Sequence, residues 1–333
     1  MNSLGNLRKL VRRCVKLLFF PFMANYYRRK YLHRKVLSST ATSQFLVGES
    51  ANEKIRTLVE GNNSFMVARF GSGELLATIE IQRRLSLSKI ELFYEDFALR
   101  DSPWDSEANF AGLRNNAGFF PINFDMLLRF CSLMLKSMPE VDLLGSWLEG
   151  ESIFERELRN ALICDLWALE PYYHKNPWSA GLKGKKVLAI HPFAKSIAQQ
   201  YYEKREKLFD NPNVLPEFNL STMKSVQSIA GNETGFVSWF EALDFMITEI
   251  KSRDFDVAII GCGAYGFPIA AEVKRLGKKA IHLGGATQIL FGIKGTRWDS
   301  HPIISKLYNE FWVRPSEEET PKNSKTVEGG CYW

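Results

Sequence analysis

Phe255-Asp256-Val257-Ala258-Ile259-Ile260-Gly261-Cys262-Gly263-Ala264-Tyr265-Gly266 reads as a buried strand that runs directly into a glycine-rich turn. Residues 267–276 follow with helical spacing, and Lys279-Ala280-Ile281-His282-Leu283 is a second strand. Upstream, residues 186–191 form another short apolar strand and residues 194–207 a helix. Residues 236–251 are helical, with Trp239, Phe240, Leu243, Met246 and Ile250 on one face. Strand, helix and strand in that order predict a parallel sheet with right-handed crossovers and flanking helices, an α/β Rossmann-like fold.

The first half repeats the theme. Residues 44–60 look helical, and Phe65-Met66-Val67-Ala68 is a short buried strand ending in Arg69-Phe70-Gly71-Ser72-Gly73-Glu74. Residues 75–83 have helical spacing, so this is a second strand–loop–helix unit. Residues 141–145 make a further strand. A loop rich in Pro, Gly and aromatic residues at 171–184 divides the chain into an arm (1–40), an N-terminal α/β part (41–180) and a nucleotide-binding part (181–333). The polar stretch 315–325 wraps the surface, and Cys331-Tyr332-Trp333 predicts a docked terminus.

Charge is unevenly distributed. Residues 1–35 hold ten Lys or Arg and no Asp or Glu; removing them from the net charge of +6 leaves the body at −4. The basic signal therefore belongs to the arm, and nucleic acid is not an expected partner of the body. Within the arm, Leu17-Leu18-Phe19-Phe20-Pro21-Phe22-Met23-Ala24 is too short to cross a bilayer, which needs about 20 apolar residues. Tyr26-Tyr27-Arg28-Arg29 follows in place of a small-residue cleavage site, which argues against secretion. Bulky apolar groups flanked by Lys and Arg suit an anionic membrane surface, and predict a cytoplasmic protein peripheral on the inner face of the cell membrane. The five cysteines are odd in number and form no Cys-x-x-Cys pair, as in a reduced cytosolic protein without structural zinc.

Three strand ends carry the candidate chemistry. Gly261, Gly263, Ala264, Tyr265 and Gly266 form a G-x-G-x-x-G turn between strand and helix, where backbone N–H groups can meet a diphosphate. The same glycines can equally serve a tight β–α turn. An NAD site is disfavoured, because Leu283-Gly284-Gly285-Ala286 stands where a ribose-binding carboxylate belongs. His191 ends a strand just before a helix, with Lys195 offering charge to phosphate; His191 can also be a capping or core residue. Arg69, Gly71, Ser72 and Glu74 combine a cation, a flexible turn and a carboxylate, suited to phosphate and to a metal or sugar hydroxyl. Alternatively Glu74 only complements a helix start. Lys294 and Arg297 add two cations beside Trp298. Softer candidates are Trp147, Trp178, Trp239 and Trp312 as stacking surfaces, and Glu149, Glu151 and Glu241 as carboxylates.

The hexapeptide at 69–74 resembles the Arg-Phe-Gly-Asp-Gly-Glu signature of the GT-D-fold glycosyltransferases. His191-Pro192-Phe193, the 261–266 loop, Gly284-Gly285-Ala286-Thr287-Gln288 and Glu328-Gly329-Gly330-Cys331-Tyr332-Trp333 are similar to a bacterial GT-D-like branch of surface-polysaccharide proteins. The likeness covers roughly residues 50–333 and is looser between 75 and 165. It implies a nucleotide-sugar donor, a UDP-sugar first among them, with the Asp-x-Glu motif serving donor and divalent metal. The family's Asp falls on Ser72, which leaves Glu74 as the one carboxylate for Mn²⁺ or Mg²⁺; a hydroxyl is a poor ligand for such hard cations. Lys195, Lys294 or Arg297 can instead neutralise the leaving diphosphate. The expected reaction is glycosyl transfer to a polysaccharide or lipid-linked acceptor, with Glu74 or His191 as general base. The rival readings are a non-catalytic nucleotide-sugar-binding scaffold and an NAD-linked oxidoreductase.

Overall fold

The structure is a computed structural model that describes residues 45–86 and 106–333. The arm at residues 1–40, and the membrane-surface reading attached to it, lie outside the described residues. Among the described residues no helix is long and apolar enough to cross a membrane.

Among the described residues eight strands form one sheet: β1 (Phe45–Leu46), β2 (Phe65–Ala68), β3 (Leu143–Ser146), β4 (Leu162–Asp165), β5 (Lys186–His191), β6 (Asn219–Lys224), β7 (Val257–Ile260) and β8 (Lys279–His282). Their order is β1-β4-β3-β2-β8-β7-β5-β6, with every neighbouring pair parallel. This is the Rossmann-like α/β architecture predicted above. Around the sheet lie α1 (Glu49–Glu60), α2 (Ser72–Leu85), α3 (Ser106–Asn115), α4 (Phe124–Ser137), α5 (Ala194–Lys204), α6 (Trp239–Lys251), α7 (Gly266–Arg275) and α8 (Ala286–Leu290).

Alternation along each strand sends neighbouring side chains to opposite faces, and both faces are covered. Met66, Ala68, Ile190, Ala258 and Ile260 join a core with residues of α2, α4, α6 and α7. Phe65, Val67, Ala189, Val257, Ile259 and Ile281 join a second core with residues of α1, α5 and α8. Burial on both sides explains why these strands read as unbroken apolar runs. The parts 41–180 and 181–333 share the sheet directly, since Phe65 and Val67 of β2 pair with Lys279 and Ile281 of β8.

Some elements depart from the sequence reading. Within the helix expected at 44–60, Phe45–Leu46 form β1, and α1 starts only after Gly48, whose φ of +52° interrupts a right-handed helix. The strand expected at 141–145 runs from Leu143 to Ser146, beginning after the turn at Met138–Glu140. β4 and β6 lack a strong local signal: β4 has only four residues, and β6 is a polar edge strand, Asn-Leu-Ser-Thr-Met-Lys. Glu241 and Ser238 form the cap of α6, where Ser238 accepts from the Glu241 N–H at 3.3 Å and Glu241 accepts from the Val237 N–H at 2.7 Å. This gives Glu241 a local structural role.

Candidate functional site

Because all strands run the same way, their carboxyl ends share one rim, where ligands of open α/β sheets bind. A cavity of about 750 Å³ opens there. Arg69, Gly71, Ser72, Gly73 and Glu74 reach it from the end of β2, Trp147 from β3, and Leu166 and Glu170 from the segment after β4. His191, Pro192 and Phe193 come from β5, Gly261, Cys262, Gly263 and Tyr265 from β7, and Gly284, Gly285 and Ala286 from β8. Arg297, Trp298, Tyr332 and Trp333 complete the wall. Arg69 and Glu74 of one loop, His191 and Gly263, from three distant parts of the chain, therefore face one space.

Arg69 stands at the middle of this rim. Among the described residues its side chain makes one hydrogen bond, from Nε to the Phe70 carbonyl at 3.0 Å, and no carboxylate forms an ion pair with it. Its guanidinium lies 4.5 Å from the centre of the Trp147 ring, a cation–π contact. The indole is itself pinned, with Nε1 donating to the same Phe70 carbonyl at 3.0 Å. Burial pulls the Arg69 pKa down, and the charges of Glu74, Tyr332 and Glu170 oppose that pull. A guanidinium nevertheless keeps its proton in a protein.

Glu74 occupies the first turn of α2 and is buried. Its carboxylate is folded over Gly71: a Cβ added there would lie 2.1 Å from Oε2, so a larger residue at 71 would push the Glu74 carboxylate aside. Burial raises the carboxyl pKa, while its own backbone N–H and the Arg69 charge draw it back. Glu74 therefore caps a helix and faces the cavity at once. Ser72 is exposed on the rim. Among the described residues no group of three or more His, Cys, Asp or Glu is placed to hold a metal ion. A lone carboxylate turned onto its own helix beside an arginine does not fit Mn²⁺ or Mg²⁺, which prefer several oxygen ligands.

Sequence reading missed Glu170, since the strand before it carries little signal. Its carboxylate accepts a hydrogen bond from the Tyr172 hydroxyl and lies within electrostatic reach of Arg69. Burial raises its pKa to about 7, against the lowering effects of that hydrogen bond and of Arg69. Glu151 has a different fate. It accepts from the Ser146 hydroxyl and from the N–H groups of Trp147 and Leu148 at 3.3 and 3.2 Å, which fixes the turn carrying Trp147.

His191 is buried and neutral, its pKa lowered by burial to about 3. Its Nδ1 accepts from the Phe193 N–H at 3.0 Å, so the ring proton sits on Nε2 and the imidazole can only donate from that atom. His282, at the end of β8, is likewise driven to about 3 by burial, with the Arg69 charge adding to the effect. Its buried Nδ1 has no partner among the described residues.

The glycine turn is tightly packed. Gly263 has φ of +57°, and a Cβ there would lie 2.7 Å from the Ala117 carbonyl oxygen; at Gly266 one would lie 2.3 Å from Nε2 of His282. At Gly261 a Cβ would meet the Gly284 carbonyl at 2.4 Å. Ala264 donates its N–H to Ala117 at 3.0 Å and Tyr265 to Cys262 at 3.3 Å, so two amides of the expected phosphate cradle are spent within the protein. Gly261, Gly263 and Tyr265 line the cavity, whereas Ala264 and Gly266 lie behind it.

Two predicted cations are not brought to the site. Lys195 is exposed and paired with Glu318 at 2.7 Å. The N-terminus of α5 beside it is filled by the buried carboxylate of Glu319, which accepts from the N–H groups of Lys195 and Ser196 at 2.9 and 3.2 Å. Lys294 lies over the Tyr308 ring at 5.3 Å, outside the cavity wall. Arg297 does line the cavity, paired with Glu328 and 4.9 Å from the Tyr332 ring centre. Of the four tryptophans singled out, Trp147 reaches the cavity; Trp178 and Trp239 are fully buried core, and Trp312 is held by the Leu208 carbonyl. The docked ending is observed. Thr296 and Arg297 donate their N–H groups to the carbonyls of Trp333 and Cys331, both at 3.1 Å, which places Tyr332 and Trp333 in the wall.

Compared with protein-family profiles, curated proteins and solved structures, the chain matches none.

Proposed function

We propose that the protein is a glycosyltransferase that moves a sugar from a nucleotide-diphosphate donor to a polysaccharide or lipid-linked acceptor. The observation that carries this reading is Arg69, an enclosed guanidinium at the centre of the rim with no carboxylate paired to it. Enclosing an unpaired charge is costly, and a dianionic ligand supplies the missing partner. The planar fork of arginine also matches phosphate oxygens bidentately. Arg297 stands in the same wall, and Tyr332 and Trp333 offer aromatic surface for a nucleotide base. In this reading Arg69 stabilises the departing diphosphate electrostatically. The His191 imidazole donates to the donor, and Glu74 accepts from a sugar hydroxyl. The basic residues 1–35 hold the enzyme at the cytoplasmic face of the membrane, near lipid-linked acceptors.

One observation favours a second reading. The carboxylate of Glu74 is folded onto Gly71, and Ser72 stands where the GT-D pattern has Asp, as in a chain that binds a nucleotide sugar without turning it over.

Calorimetric titration with UDP, GDP, CMP and their sugars, with and without Mn²⁺, tests binding. A nucleotide diphosphate should bind, and Arg69→Met should weaken it at least tenfold, about 1.4 kcal/mol. Equal affinity in the variant, or no binding of any nucleotide, refutes the reading. Release of free nucleotide from a bound donor separates the enzyme from the scaffold.

A further inference from the structure

We infer that Glu170 is the general base for the acceptor hydroxyl, and that the β3–β4 half of the rim, with Trp147, is the acceptor's site. The inference rests on the glycosyl-transfer reading. Sheet order places β8, β7 and β5 on one side of β2, and β3 and β4 on the other. Arg69 marks the boundary. A diphosphate held between Arg69 and the glycine turn fills the first side and leaves the second for the acceptor. That half is built for a sugar: the Trp147 indole is 39% exposed yet fixed by the Phe70 carbonyl, a flat apolar surface with one defined orientation.

The available lone pairs single out Glu170. Nδ1 of His191 already accepts from Phe193, Glu151 is used by its turn, and Glu74, buried at the start of α2, accepts from its own N–H and, in the reading above, from the donor sugar. The Tyr172 hydroxyl fixes one oxygen of Glu170, Oε2, and among the described residues no donor holds Oε1. A carboxyl titrating near neutrality is matched to proton transfer at physiological pH. In the step, the acceptor oxygen forms a bond to the anomeric carbon as the bond from that carbon to the phosphate oxygen breaks. The electron pair leaves on the diphosphate, and the hydroxyl proton passes to Oε1 of Glu170 and then to water. With the leaving group on one side of Arg69 and the base on the other, the anomeric configuration inverts.

The test uses the full chain and UDP-sugars, with water as surrogate acceptor and released UDP as readout. Glu170→Gln keeps the volume and the Tyr172 contact. It should lower turnover at least hundredfold, the usual scale of a general base, with UDP affinity within about threefold of wild type. Wild type should lose turnover below about pH 7, and residual turnover in the variant should lack that limb. The sugar released by wild type, observed by NMR before mutarotation, should be the inverted anomer. Turnover in the variant within about threefold of wild type, equal losses of turnover and UDP affinity, or a retained anomer overturns the assignment alone. Wild type that binds UDP-sugars and releases no UDP overturns the glycosyl-transfer reading as well.

Discussion

Replacing Glu170 by Gln should stabilise the ligand-free protein, and only at neutral and alkaline pH. The carboxyl rises from an ordinary value of 4.5 to about 7 because burial penalises its charged form more than Arg69 and Tyr172 favour it. At about 1.4 kcal/mol per pH unit this is a cost of about 3 kcal/mol once the group is fully ionised, and about 2 after allowance for partial solvent contact. The sign follows from proton binding. Between pH 4.5 and 7 the folded chain holds a proton that the unfolded chain has released, so wild-type stability falls as pH rises through this window. Below pH 4.5 both states are protonated and the cost disappears. Urea titrations of wild type and Glu170→Gln at pH 4.5 and pH 8 should therefore give nearly equal stabilities at the lower pH, with the variant ahead by about 2–3 kcal/mol at the higher. A variant that is less stable at pH 8 would show Glu170 to be a stabilising counter-ion of Arg69 and would refute the reasoning. Stability gained by removing a candidate catalytic group is the trade expected where function needs a destabilised site.

Two structural predictions follow the same logic. Gly263→Ala forces a side chain into a left-handed turn and against the Ala117 carbonyl oxygen, 2.7 Å from the new Cβ, and should cost about 2–4 kcal/mol in urea unfolding; a loss below about 1 kcal/mol would show that the turn relaxes freely. Glu319→Ala removes the buried acceptor of the Lys195 and Ser196 N–H groups and should cost about 2 kcal/mol, read as a lower urea midpoint at unchanged slope. An unchanged midpoint would show that water replaces the cap.

The architecture was largely legible because burial on both faces writes itself locally: Phe65–Ala68 and Val257–Ile260 are unbroken apolar runs, each leading into a loop and a helix. β4 and β6 were not, since a four-residue strand and a polar edge strand are defined by their neighbours. Missing β4 hid Glu170 as well, for nothing marks that carboxylate until the strand before it joins the rim. Lys195 shows the opposite failure. Its position at a helix start is visible in the chain, but Glu319, more than a hundred residues away in sequence, occupies the amides beside it.

Read alone, the chain specifies that Arg69, Glu74, His191 and the 261–266 glycines sit at strand ends, because apolar periodicity and turn chemistry are local properties. Which of them share a cavity is a consequence of the β2–β8 pairing, which joins the two halves of the molecule in one parallel sheet and brings their carboxyl ends to one rim. Protonation is decided at the same level. Glu170 and His191 are displaced in opposite directions by the same cause, loss of water around an ionisable group, and burial exists only once distant segments have packed.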